Sequence, residues 1–274
     1  MTIAAAIQMA SGPTVHANLI EAERHIAAAA KVGAKLVVLP ENFALMGMHD
    51  RDGLATREHE GSGSLQDFLA GQAARHGVWL VGGTIPMHGD DPERGRAACL
   101  VFDPSGRRAA RYDKIHLFDV NVDDERGCYQ ESSTIEPGRE VVVVETGLGM
   151  LGLAICYDLR FPELFRALLD RGAQLIALPA AFTAVTGRAH WEVLVRARAV
   201  ENLCYIVAAA QGGYHANGRE TYGHSMVVDP WGVVLDRLPR GSGTVLGNID
   251  LPRQLGTRTR FPCLEHRRLR FAEP

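Results

Sequence analysis

Apolar positions along this chain fall into two alternating patterns. One is the short, nearly unbroken run: "IAAAIQM" (3–9), "KLVVLP" (35–40), "VWLVGGTIP" (78–86) and the segments 174–179 and 204–210. Runs of this length, bounded by Gly or Pro, predict strands buried on both faces. The other pattern places apolar residues at helical spacing, in 18–32, 64–77, 162–171 and 188–202. These predict helices, with Asn18 as a cap, Gly33 and Gly77 as stops and Pro162 in a first turn.

Hairpins interrupt the alternation. Asp103-Pro104-Ser105-Gly106 turns the chain within 97–114, and Asp229-Pro230-Trp231-Gly232 does so within 223–238. "VVVVETGLGMLGLAIC" (141–156) reads as a strand pair about a Gly-rich turn. Helices alternating with strands, plus hairpins, predict an α/β fold with mixed sheets. No Pro/Ser-rich linker or break in composition divides residues 1–274, so a single domain is expected. The polar, Gly-containing segments 44–62 and 119–138 are expected to be loops that shape a pocket.

Two stretches repeat: "GAKLVVLPENF" (33–43) and "GAQLIALPAAF" (172–182). Each follows a helix, passes a Gly stop and a buried strand, and leaves through Leu-Pro. Equivalent units of two packed sheets would read this way, with their strand ends side by side. The copies differ after the proline, Glu41-Asn42 in one and Ala180-Ala181 in the other.

Composition narrows the function classes. Of 274 residues, 46% are hydrophobic and 22% charged, as expected of a soluble enzyme. A net charge of −3 offers no electrostatic basis for nucleic acid or an anionic membrane as partner. The basic cluster at 265–271 reads as a solvated or subunit-packing terminus. The N-terminus lacks a basic region and reads as a strand, not a signal peptide, and no run has the length of a membrane span. Five cysteines (Cys99, Cys128, Cys156, Cys204, Cys263) without a CxxC pair suggest neither a disulfide framework nor a zinc site, so a reducing cytoplasm is expected. The histidines show no metal-ligand spacing.

Strand ends are where α/β folds place reactive groups, and three polar residues stand at or beside such ends. Cys156 ends an apolar strand and precedes a helix beginning near Pro162. That turn either exposes a nucleophile beside backbone N–H groups or buries a structural cysteine; the stretch alone leaves both readings open. Glu41 alone is an ordinary strand-end acid and Lys114 an ordinary surface lysine. Together the three supply what amide hydrolysis needs: a base, a nucleophile and a positive charge for the oxyanion. His116 and His224 invite a Cys-His reading that no local pattern supports. His190 and Glu192 read as helix-packing or interface residues.

"LPENF", "RYDKIHLFDV" and "GLAICYDLRFPELF" resemble, in order and separation, the Glu, Lys and Cys motifs of the nitrilase superfamily of carbon–nitrogen hydrolases. The resemblance covers nearly the whole chain. It implies a four-layer α-β-β-α sandwich of two mixed sheets with internal pseudo-two-fold symmetry. It implies a catalytic triad in which Glu41 is general base and acid, Cys156 the nucleophile, and Lys114 with the Tyr157 backbone N–H the oxyanion stabiliser. Members often carry a second glutamate that positions the lysine; Glu131 is the best match, with Glu136 the alternative.

Residues 178–211 and 222–235 resemble the branch that contains deaminated-glutathione amidases, with omega-amidases acting on 2-oxoglutaramate as near neighbours. This implies a small-molecule amide substrate, no cofactor and no metal. Ala180, Ala181 and Thr183 would then form a substrate wall opposite Glu41. Arg160 would meet a substrate carboxylate or form a salt bridge with Glu163 or Asp158. Members also assemble through helices beside the nucleophile strand, so a homodimer or larger even oligomer is expected, with helix 188–202 available for it. Outside the enzyme class, a binding protein on the same scaffold would be expected to lose part of the triad.

Overall fold

The structure, a computed structural model, describes residues 1–124 and 126–269. The first sheet is built on β1 (Thr2–Gln8), β2 (Ala34–Val38) and β3 (Trp79–Val81), which run parallel. Beyond β3 lie antiparallel β5 (Gly95–Phe102) and then its two partners, β4 (Ile85–His88) and β6 (Arg108–Asp113). The last long strand, β17 (Gly243–Ile249), closes the other side against β1.

The second sheet repeats this plan. Its parallel trio is β10 (Gly149–Leu153), β11 (Leu175–Ala180) and β12 (Tyr205–Ala210). Antiparallel β9 (Val143–Thr146) flanks β10, while β15 (Ser225–Val228) and β16 (Val234–Leu238) extend from β12. The repeated stretches therefore occupy equivalent positions, β2 and β11, each central in its parallel trio.

Alternate residues of β1 explain the layering. Ala4 and Ala6 pack into the core shared with the second sheet, and Ala5 and Ile7 into a core shared with helices. Those helices are α1 (Val15–Lys31) and α2 (Ser64–His76), contributing Ala22, Ile26, Ala29, Leu65, Leu69 and Ala73. Across the second sheet, α3 (Pro162–Asp170) and α4 (Ala184–Asn202) contribute Leu164, Phe165, Leu168, Trp191 and Val195. The result is the expected α-β-β-α sandwich, in which strands with helix on one face and sheet on the other carry no polar alternation.

Three local expectations are corrected. The run 78–86 forms two strands, β3 and β4, broken at residues 82–84 where Gly83 takes φ 56°. Asn18 does not cap α1; Thr14 occupies that position. Asn18 lies one turn inside, buried, donating to the carbonyls of Gly12 and Ala44 and accepting from Gly12 N–H. The helix expected over 188–202 begins at Ala184, because the Thr183 hydroxyl accepts the Thr186 N–H and starts it earlier. Part of the basic run 265–271 lies outside the described residues; within them, Arg267 pairs with Asp170 of α3 at 2.6 Å. Among the described residues no helix is long and apolar enough to cross a membrane.

Candidate active site

The site forms where β2, β6, β10 and β11 end. Glu41 follows the Leu-Pro exit of β2, Lys114 follows β6 directly, Cys156 lies just beyond β10 and Ala181 just beyond β11. All four line one cavity. Two short hairpins complete its rim, β7 (Asp119–Asn121) with β8 (Cys128–Gln130), and β13 (Gly212–Tyr214) with β14 (Glu220–Tyr222).

Lys114 is 2% exposed, and its Nζ donates to Glu41 Oε1 at 2.7 Å and to both Glu131 carboxylate oxygens at 2.9 Å. Burial alone would depress the ammonium, but Glu131 and Glu41 outweigh it and hold Lys114 well above the usual lysine value. Glu131 also accepts the Phe118 N–H at 2.7 Å. Burial pushes its carboxyl up and Glu41 adds to that, against the opposing pull of Lys114. Two carboxylates around one ammonium leave the cluster one negative charge in excess. Such a cluster favours taking up a proton.

Cys156 is buried, and its Sγ accepts a long hydrogen bond from Ala181 N–H at 3.4 Å. Burial first, and the Glu41 carboxylate second, hold the thiol well above its ordinary value, with Lys114 opposing. The resting group is therefore a thiol with an acceptor carboxylate beside it. Its backbone sits at φ 47°, in the left-handed region that costs a non-glycine residue energy.

Asp158 stabilises that turn. Fully buried, it accepts from Ile155 N–H at 2.8 Å and the Tyr112 hydroxyl at 2.7 Å through one oxygen. The other oxygen accepts from His116 N–H at 3.1 Å and contacts His116 Nδ1 at 2.7 Å. The Glu41 side is pinned similarly. Gln211 Nε2 donates to the Glu41 carbonyl at 3.0 Å and to the Ser11 hydroxyl at 2.8 Å. Thr84 Oγ1 accepts the N–H of Asn42, itself at φ 56°.

The structure thus brings together Glu41, Lys114, Glu131, Cys156, Tyr157, Ala181 and Thr183. Of the two glutamates, Glu131 contacts Lys114, whereas Glu136 pairs with Arg96 at 2.8 Å. Two expectations are corrected. Ala180 is the last residue of β11 and is buried in the core around the second sheet, outside the cavity lining, because its side chain points away from that of Ala181. Arg160 does not line the cavity and pairs with neither Asp158 nor Glu163. Its guanidinium lies 5.3 Å from the Phe182 ring and 5.7 Å from the Tyr157 ring, beside His190. His116 and His224 also stand outside the lining, and Glu192 pairs with Arg237. Asp158, Gln211 and the lining residue Arg219 are additions that the sequence reading did not single out for the site.

The carbon–nitrogen hydrolase model matches residues 3–258. The chain belongs to the carbon–nitrogen hydrolase family. It is accordingly a hydrolase of carbon–nitrogen bonds other than peptide bonds. The chain is 43% identical to a deaminated glutathione amidase of Yersinia enterocolitica, covering 96% of this chain and 92% of that protein. It is 40% identical to the human deaminated glutathione amidase, covering 98% and 83%. Among solved structures, Saccharomyces cerevisiae Nit3, a member of branch 10 of the nitrilase superfamily, superimposes with a TM-score of 0.88 at 30% identity, covering 98% and 97%. The Caenorhabditis elegans NitFhit protein gives 0.87 at 38% identity, with 97% of this hydrolase chain spanning 65% of that one. An amidase from Nesterenkonia sp. AN1, solved with acrylamide added to its active-site cysteine, gives 0.77 at 27%, covering 97% of this chain and all of that one.

Proposed function

We propose that the protein is an amidase that hydrolyses deaminated glutathione to 2-oxoglutarate and cysteinylglycine through a thioester on Cys156. The observation that carries the reading is the buried contact of one ammonium, Lys114, with two carboxylates beside the thiol. Attack of Sγ on the amide carbon passes the thiol proton to Glu41 and places negative charge on the amide oxygen. Lys114 Nζ stabilises that oxygen, aided by the Tyr157 N–H, which precedes the first hydrogen bond of the Cys156–Arg160 turn, Asp158 N–H to Ile155 carbonyl. Glu41 then protonates the departing amine, leaving a thioester. Water, deprotonated by Glu41, cleaves it and returns the thiol. Glu131 positions Lys114 and is not itself consumed.

Full-length identity to proteins named deaminated glutathione amidase supports this substrate over 2-oxoglutaramate. The test compares 2-oxoglutarate release from both compounds at matched concentrations. Faster turnover of deaminated glutathione supports the assignment, and preference for 2-oxoglutaramate transfers the protein to the omega-amidases. The chemistry needs a reduced thiol, so the reading includes a cytoplasmic location. It also includes a homodimer or larger even oligomer. Val193 and Val200 of α4 are exposed, as are Trp231 and Val233 at the β15–β16 turn, which Arg196 ties to the helix through the Gly232 carbonyl.

A further inference from the structure

Four arginines line the cavity, and three are engaged by the protein itself. Arg96 pairs with Glu136 and Asp90, and Arg126 with Asp50. Arg57 makes no ion pair among the described residues, but it donates to the carbonyls of Leu54, Pro92 and Arg94 at 2.9, 2.8 and 2.7 Å. Arg219 differs. Among the described residues it makes no ion pair, its Nη2 donates to the Ala181 carbonyl, and its buried Nε has no acceptor. A buried guanidinium N–H left unpaired is costly, and a cavity wall is where a ligand can pair it.

The surroundings hold this guanidinium in place. It lies 5.5 Å from the centre of the Tyr129 ring, whose hydroxyl is fixed by Asp124 at 2.8 Å. Its own turn is pinned by Asn217, which accepts the Arg219 N–H at 3.0 Å and donates to the Gly47 carbonyl at 2.7 Å. Ala181 connects it to the chemistry: that residue's carbonyl faces Arg219 while its N–H faces Cys156 Sγ. A planar, preorganised donor fork one residue from the nucleophile suits a carboxylate.

We propose that Arg219 anchors a substrate carboxylate remote from the cleaved bond and so sets which amides are accepted. The proposal rests on the amidase reading and deepens it. Deaminated glutathione offers two such groups, the 2-oxo acid carboxylate of the acyl part and the terminal carboxylate of the departing dipeptide. 2-Oxoglutaramate offers only the first.

The test titrates Cys156→Ala protein, with and without Arg219→Met, with deaminated glutathione, its C-terminal carboxamide and 2-oxoglutaramate. A loss of affinity for deaminated glutathione of about tenfold to a hundredfold is expected in the Arg219→Met protein. A loss that disappears with the C-terminal carboxamide assigns the anchored group to the dipeptide. A loss that persists there and extends to 2-oxoglutaramate assigns it to the acyl part. Unchanged affinity for all three overturns the proposal. Arg219→Lys, which keeps charge but not the fork, is expected to lie between.

Failure of the amidase reading shows separately, as wild-type protein that turns over neither amide. Arg219 is then read from alkylation of Cys156 by iodoacetate relative to neutral iodoacetamide. The ratio is expected to fall about tenfold in Arg219→Met, and an unchanged ratio overturns the anchor. The iodoacetamide rate itself reports whether the thiol and its fold are intact.

Discussion

Two glutamates in one loop separate support of the reaction from support of the loop. Glu131→Gln keeps the shape but removes a charge from Lys114, and kcat is expected to fall about tenfold to a hundredfold with little change in KM. Glu136 does not line the cavity or touch Lys114, so Glu136→Gln, which weakens its pairing with the wall residue Arg96, is expected to leave kcat within about twofold. Steady-state kinetics of the two variants checks both expectations. The thiol gives a pH-dependent one. Because burial and the Glu41 carboxylate raise the Cys156 value, thiolate absorbance in the wild type should appear only above the pH at which an ordinary cysteine ionises. Glu41→Gln removes a neighbouring negative charge, so the titration should move to lower pH; a shift upward would contradict the assigned electrostatics. Cys156, Lys114 and Glu41 were legible in the sequence because each stands at a strand end and matches a motif. Asp158 and Arg219 were not, since Tyr112 and Ala181 reach them only through the fold.

Strand ends aim these groups, and turn residues aim the strand ends. Gly83 adopts φ 56°, and a Cβ there would come within 2.1 Å of the Pro40 carbonyl, one residue before Glu41. Gly83→Ala is expected to lower stability on the order of 2–4 kcal/mol and to reduce activity beyond that, as read by denaturant melts beside kinetics. The two Asp-Pro-x-Gly turns test the opposite case. Asp103 Oδ1 accepts from the N–H groups of Ser105 and Arg107, and Asp229 Oδ1 from those of Trp231 and Val233. Alanine at either position is expected to cost about 1–2 kcal/mol, with kcat per folded molecule unchanged, because neither aspartate lines the cavity. These turns were legible because their chemistry is local. Asn18 was misread for the same reason: an asparagine before an apolar helix looks like a cap, and its buried bonds to Gly12 and Ala44 depend on packing.

The sandwich itself follows from one repeated unit, a helix and a doubly buried strand, used once in each sheet. The repeat was visible because burial on both faces removes polar alternation from β2 and β11. The order in which strands pair was not, since it is set between distant segments. The central places of β2 and β11 in their trios put Glu41 and the Ala180-Ala181 step at equivalent exits, so one copy carries the base and the other, through Ala181, leaves space and an N–H toward Cys156. If α4 and the Trp231 turn form the dimer surface, Val193→Lys should yield monomers in sedimentation velocity; an unchanged assembly would place the contact elsewhere. The most direct check remains chemical: 2-oxoglutarate release from deaminated glutathione by wild-type and Cys156→Ala proteins of equal thermal stability. A loss of at least about 10⁴-fold is predicted for the variant, whereas activity within tenfold of wild type would contradict covalent catalysis by this thiol.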